Sequence, residues 1–159
     1  MAHLTPNVDV PLSLRVDVKK QILEILRGGV PERTYPISTS RFGLGSEPGS
    51  FKTPLGRFVI SDKIGEASPL GAVFKGRIPT GEIVGEGGDD DLILTRILWL
   101  SGLDPHNANT RDRYVYIHGT NQESFIGTPA SHGCVRMRNQ DVAELFDLVT
   151  EGTPLEIVS

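Results

Sequence analysis

The feature that most constrains this chain is the spacing of its breakers: 18 glycines and 11 prolines are scattered through 159 residues, mostly between short apolar runs. Such punctuation leaves little room for long helices and marks a fold of many short strands joined by turns. Leu12-Ser13-Leu14-Arg15-Val16-Asp17-Val18 alternates apolar and polar residues, which predicts a half-buried strand. Gln21 to Leu26 predicts a second strand ended by Gly28-Gly29, Thr34 to Ser38 a third, and Gly56 to Ser61 a fourth. Residues 42–49, rich in Gly, Ser and Pro, predict a loop between the last two.

Residues 62–90 hold many glycines and little apolar content, the composition of a candidate flap. Within it, Ala72 to Lys75 and Glu82 to Val84 are expected to pair across Pro79-Thr80-Gly81. The run Leu92 to Leu100 fits a buried helix or a buried strand. Its β-branched residues, and the strand-like Tyr114-Val115-Tyr116-Ile117 after it, favour strand. One helix is clear: Val142, Leu145, Phe146 and Val149 form a stripe, with Asn139 as expected N-cap and Gly152 and Pro154 closing the element. The expectation is one mainly-β domain over residues 1–159 with a single helix before a last strand, Leu155 to Val158.

Charge and hydropathy exclude some partners. A net charge of −4 without any Lys/Arg-rich run argues against nucleic acid. No stretch approaches the ~20 apolar residues needed to span a membrane. Residues 1–9 hold neither a basic nor an apolar leader segment, so the chain as written is expected in the cytoplasm, or in the periplasm or cell wall if a leader precedes it. A single cysteine excludes an internal disulfide.

That cysteine carries the chemistry. Cys134 follows Ser131-His132-Gly133, a polar context unlike that of a core residue. Gly133 permits unusual dihedrals and close approach of a substrate, and N–H groups around a Gly-Cys step can converge on one oxyanion. His118 ends a predicted strand, and an imidazole is the usual partner that activates a thiol. Such a thiol is expected to react below the pH of an ordinary one. Two other readings of the residues stay open. Cys134 and His118 could be satisfied core residues, or with His132 they could form a zinc site, though no fourth ligand is evident.

His118-Gly119-Thr120 followed by Ser131-His132-Gly133-Cys134-Val135-Arg136-Met137 resembles the signature of the L,D-transpeptidase catalytic domain, also called the YkuD domain. Thr53-Pro54-Leu55-Gly56-Arg57-Phe58 resembles that family's TPxGxF segment, and the likeness covers roughly residues 12–158. The resemblance implies a β-sandwich-like fold acting on peptidoglycan stem tetrapeptides or soluble muropeptides, with neither cofactor nor metal. It implies Cys134 as nucleophile, His118 as base, and the Gly119 carbonyl orienting the imidazole. Gly133 and Cys134 would supply the oxyanion hole, and Ser131 and His132 would line the pocket. Arg136 stands where many members carry Asn, and would either hold a substrate carboxylate or pair with a neighbour such as Asp141. Arg138, Arg111, Arg113 and Arg96 are alternative carboxylate partners. A carbapenem is the covalent inhibitor the resemblance suggests. The leaderless start favours an L,D-carboxypeptidase of muropeptide recycling, with a cross-linking or D-amino-acid-exchanging L,D-transpeptidase as alternative and a catalytically silent peptidoglycan-binding module as a third.

Overall fold

The computed structural model describes residues 10–159, so the expectation about a leader in residues 1–9 lies outside the described residues. Its first six strands are β1 (Leu12–Asp17), β2 (Ile22–Arg27), β3 (Val30–Ser38), β4 (Gly56–Ile64), β5 (Ala72–Lys75) and β6 (Ile78–Ile83). They are followed by β7 (Ile93–Gly102), β8 (Tyr116–Gly119), β9 (Val135–Met137), the helix α1 (Asn139–Leu148) and β10 (Pro154–Val158). The mainly-β reading with one C-terminal helix is borne out.

All ten strands form one sheet in the order β4-β10-β1-β2-β3-β9-β8-β7-β5-β6, and β4 also pairs with β7. The sheet therefore closes on itself, and the β5–β6 hairpin hangs outward from β7. Closure pairs the edge of β4 with β7, and β6 at the end of the hairpin keeps an exposed edge. The mostly apolar character of β7 is explained by its place: it pairs with β4, β5 and β8 and is buried from Leu94 to Leu100.

Inside the closed sheet, Leu14, Val16, Leu23, Ile25, Ile37, Phe58 and Ile60 meet the helix stripe of Val142, Leu145, Phe146 and Val149. A smaller cluster of Ala72, Phe74, Ile97, Trp99 and Tyr116 lies under the hairpin, with Cys134 packed at its margin. Because strand side chains alternate faces, β8 sends Ile117 into the first cluster and Tyr116 and His118 to the other side. β8 and β9 run parallel. A parallel pair needs a long connection, and here it is the segment 120–134 that carries the Ser-His-Gly-Cys motif.

Two local expectations are corrected. The hairpin turns at Gly76-Arg77, both at positive φ (+55° and +66°), and Pro79, Thr80 and Gly81 lie within β6. Pro79 is tolerated there because β6 is the sheet's terminal strand. Asn139 is the first helical residue rather than the N-cap, which is Arg138. The helix N-terminus is satisfied instead by Glu123, whose carboxylate accepts the Asn139 N–H at 2.7 Å. An anion there also suits the helix dipole.

Candidate active site

Register brings the motif residues together. Ile117 lies opposite Val135, His118 opposite Arg136, and Gly119 opposite Met137. Alternation therefore places Tyr116 and His118 of β8 on the same face as Arg136 of β9 and Cys134 just before that strand, with His118 diagonal to Cys134. The Tyr116 N–H donates to the Cys134 Sγ at 3.3 Å, which fixes the sulfur against β8. The thiol in turn faces the carbonyl of Tyr114 at 3.5 Å, a residue held at φ +58°.

His118 is buried, and its Nδ1 meets the Gly119 carbonyl at 2.5 Å. A carbonyl can only accept, so Nδ1 carries the hydrogen and Nε2 keeps its lone pair. Gly119 is itself tightly seated: a Cβ there would lie 2.2 Å from Asn139 Oδ1 and 2.7 Å from the Leu94 carbonyl. Asn139 is held by Thr95, whose hydroxyl donates to Oδ1 at 2.6 Å. Thr95 sits at φ +75° in the irregular stretch of β7 between Leu94 and Ile97. Strained backbone of this kind persists only where its surroundings over-determine it.

The loop before Cys134 is stapled from several sides. Ser131 is buried; its hydroxyl donates to the Cys134 carbonyl at 2.6 Å and accepts the Gly133 N–H at 3.2 Å. Ser131 thus holds the loop and is not among the residues lining the adjoining cavities. Gly133 adopts φ +122°, and its carbonyl accepts the Thr53 hydroxyl at 3.0 Å. The Thr-Pro segment read from the sequence therefore reaches the cysteine loop directly.

His132 and Arg136 meet at one carboxylate. Asp91 Oδ2 accepts His132 Nδ1 at 2.8 Å, and its Oδ1 accepts Arg136 Nη2 at 2.8 Å. Arg41 Nη2 lies 3.3 Å from His132 Nε2. A guanidinium only donates, so in this contact the His132 Nε2 is the accepting atom. Arg136 is 1% exposed, with Nε and Nη1 unpartnered among the described residues. Its ion pair is with Asp91 and not with the Asp141 considered from sequence.

Two cavities open on either side of His132. One, of about 220 Å³, is lined by Phe51, Arg113, Tyr114, His132, Gly133 and Cys134 among others. The other, of about 460 Å³, is bordered by Arg41, Asp91, Gln122, Phe125, His132 and Arg136 among others. Phe42 and Phe51 pack on the His132 ring with centroids 5.7 and 6.0 Å away.

The electrostatics differ from the sequence expectation of an activated thiolate. Burial pushes the Cys134 thiol up to about 12, outweighing the Tyr116 N–H and the charges of Arg136 and Arg113 that pull it down, while Asp91 pushes it up further. Burial also holds His118 below its ordinary value, against the raising effects of Asp91 and the Gly119 carbonyl. Both shifts follow from desolvation disfavouring the charged form. Both shifts favour the uncharged forms of the two groups. Among the described residues, no group of three or more His, Cys, Asp or Glu side chains is placed to hold a metal ion.

The closed mainly-β sheet sets His118 of β8 diagonal to Cys134, the residue that leads into the parallel strand β9. The chain belongs to the YkuD family, the L,D-transpeptidase catalytic domain, whose model matches residues 12–157. It is 28% identical over 149 residues to "Putative L,D-transpeptidase YkuD" of Bacillus licheniformis, covering 93% of this chain and 66% of that protein. It is 34% identical over 131 residues to "Probable L,D-transpeptidase YcfS" of Escherichia coli, covering 79% of this chain and 37% of that one. Among solved structures, L,D-transpeptidase 3 from Mycobacterium tuberculosis with a faropenem-derived adduct superposes with a TM-score of 0.60 at 15% identity, over 94% of this chain and 61% of that one. An L,D-transpeptidase from Xylanimonas cellulosilytica gives 0.60 at 21% identity, covering 99% and 65%. The chain spans about two thirds or less of the length of these relatives. No helix among the described residues is long and apolar enough to cross a membrane.

Sequence reasoning missed Asp91, Thr53 as a loop support, Thr95 and Glu123. Each acts on residues at least 16 positions away in the chain. The triple acid 89–91 was a visible signal without an evident partner.

Proposed function

We propose that this protein cleaves the L,D peptide bond of peptidoglycan stem tetrapeptides through a Cys134 thioester. The observation that carries this reading is the diagonal placement of His118 and Cys134 on one face of β8–β9, with the His118 Nδ1 hydrogen committed to Gly119 and Nε2 left as base. His118 Nε2 takes the thiol proton as Sγ attacks the carbonyl of the third residue. The C–S bond forms, and the resulting oxyanion is held by the Cys134 N–H and by the Gly133 N–H turned from Ser131. The oxyanion collapses, the C–N bond breaks, and the imidazolium gives its proton to the departing D-alanine.

Because both shifts favour the uncharged thiol and imidazole, proton transfer accompanies attack instead of preceding it. Water entering next releases a tripeptide and makes the enzyme an L,D-carboxypeptidase. An incoming amine makes it an L,D-transpeptidase, the activity in the names of its relatives. The Cys134 cavity and the one bordered by Arg136 flank the same histidine, so room for a second peptide favours keeping the amine branch beside the water branch.

Incubation with a disaccharide tetrapeptide followed by mass spectrometry tests this. Loss of one alanine supports the water branch, and a cross-linked dimer or an exchanged D-amino acid the amine branch. An unchanged substrate that nevertheless binds would replace both with the silent binding module.

A further inference from the structure

Five arginines were candidates for holding a substrate carboxylate, and the structure separates them. Arg136 is buried and paired with Asp91. Arg111 pairs with Asp62 and lies over Trp99 at 3.9 Å. Arg96 is buried, and its Nη1 donates to the carbonyls of Ser68 and Thr95 at 2.7 Å each. Arg138 is exposed at the start of α1 and borders neither cavity beside His132. Arg113 alone lines the cavity that contains Cys134.

Arg113 is half-buried and forms no ion pair within 4 Å among the described residues. Its guanidinium is aimed by oxygen atoms of the 45–52 loop: Nη2 donates to the Lys52 carbonyl at 2.8 Å and to Ser50 Oγ at 3.4 Å, and Nη1 to the Gly45 carbonyl at 3.2 Å. That Lys52 carbonyl lies 3.3 Å from where a Cβ on Gly133 would stand, so the cation is fixed against the cysteine loop. Asp112 borders the same cavity but is exposed and makes no ion pair with Arg113. The cavity thus holds a positioned, partly desolvated cation beside the thiol, acted on by Glu47 from beyond ion-pair distance.

We infer that Arg113 is the specificity-determining residue that binds the free α-carboxylate of the terminal residue next to the scissile bond. This rests on the cysteine-thioester reading above. A terminal carboxylate lies only three bonds beyond the carbonyl under attack, a span suited to the small Cys134 cavity. A guanidinium there favours chains that end at the leaving residue over chains that continue past it, making the reaction an end-trimming or end-exchanging one. The carbonyls that hold two of the Arg113 nitrogens leave further N–H donors for a charge-assisted bond to the ligand.

The test uses two tetrapeptides that differ only at the terminus, one a free carboxylate and one a carboxamide. The parent is expected to favour the carboxylate by at least about tenfold in kcat/KM. Arg113→Gln is expected to lose most of that preference, because its KM for the carboxylate peptide rises by several-fold more than its KM for the carboxamide. Arg113→Lys, which keeps the charge, is expected to retain part of the preference. A parent that uses both peptides equally overturns the assignment but leaves the thioester reading standing, as does an Arg113→Gln enzyme that keeps the full preference. A parent that turns over neither peptide overturns both.

Discussion

The Nδ1 hydrogen of His118 is given to the carbonyl of Gly119 at 2.5 Å, and this one bond decides which ring nitrogen is available. A backbone carbonyl here does the orienting work that a carboxylate does in many cysteine and serine enzymes. Unlike a carboxylate, it adds no full negative charge beside the imidazole. Burial then outweighs the raising pull of Asp91 and holds His118 below its ordinary value, while burial raises the Cys134 thiol.

The first prediction concerns that raised thiol. An acid whose pKa is raised by burial is less ionised than an ordinary thiol at every pH below its own pKa. Iodoacetamide should therefore alkylate Cys134 in the free enzyme more slowly than glutathione at about pH 8, and the rate should keep climbing through about pH 10. Measuring the rate against pH by intact mass checks this. A plateau near neutral pH would mean a preformed thiolate–imidazolium pair.

A second prediction addresses Asp91. Arg136 is 1% exposed and Asp91 is its counter-ion, so Asp91→Ala leaves a buried charge uncompensated. The loss should be about 3 kcal/mol in urea unfolding. The double variant Asp91→Ala with Arg136→Met should recover much of it, because both charges are then gone. A double variant no more stable than the single one would show that the pair is not coupled in this way.

Gly119→Ala provides a third. The added Cβ would collide with Asn139 Oδ1 and the Leu94 carbonyl, which forces the Gly119 peptide to shift. Overpacking of this kind costs about 2 kcal/mol. The larger effect should fall on activity, since the carbonyl that orients His118 belongs to this residue. Melting temperature and single-turnover acylation, measured together, should show acylation reduced by about a hundredfold in protein that is still folded at 25 °C. Unaltered acylation would dissociate Gly119 from His118.

Much of this was legible in the sequence for a physical reason. Strand alternation and breaker spacing marked β1, β3 and β4, β-branched content tilted the Leu92 to Leu100 run towards β7, and the helix stripe of Val142, Leu145, Phe146 and Val149 is buried as its periodicity implies. Cys134 and His118 stood out because their neighbours were polar and glycine-rich. What the sequence concealed depends on register. Asp91 reaches Arg136 only because β7 and β9 flank β8, and Glu123 displaces Asn139 from the capping role only through the fold of the β8–β9 connection. The hairpin turn was misplaced because Pro-Thr-Gly is a stronger turn signal than Gly-Arg, yet the terminal position of β6 removes the penalty for Pro79. The thiol's raised pKa could not be foreseen, since burial is a property of the packed cluster around Trp99 and Tyr116.

The central claim is that Cys134 forms a covalent acyl-enzyme with His118 as its base. Intact-protein mass spectrometry after incubation with a carbapenem, followed by peptide mapping, tests it most directly. One adduct on Cys134 is predicted in the parent, none in Cys134→Ala, and adduct formation slowed by at least about a hundredfold in His118→Gln. An unmodified parent, an adduct that persists in Cys134→Ala, or an undiminished rate in His118→Gln would contradict it.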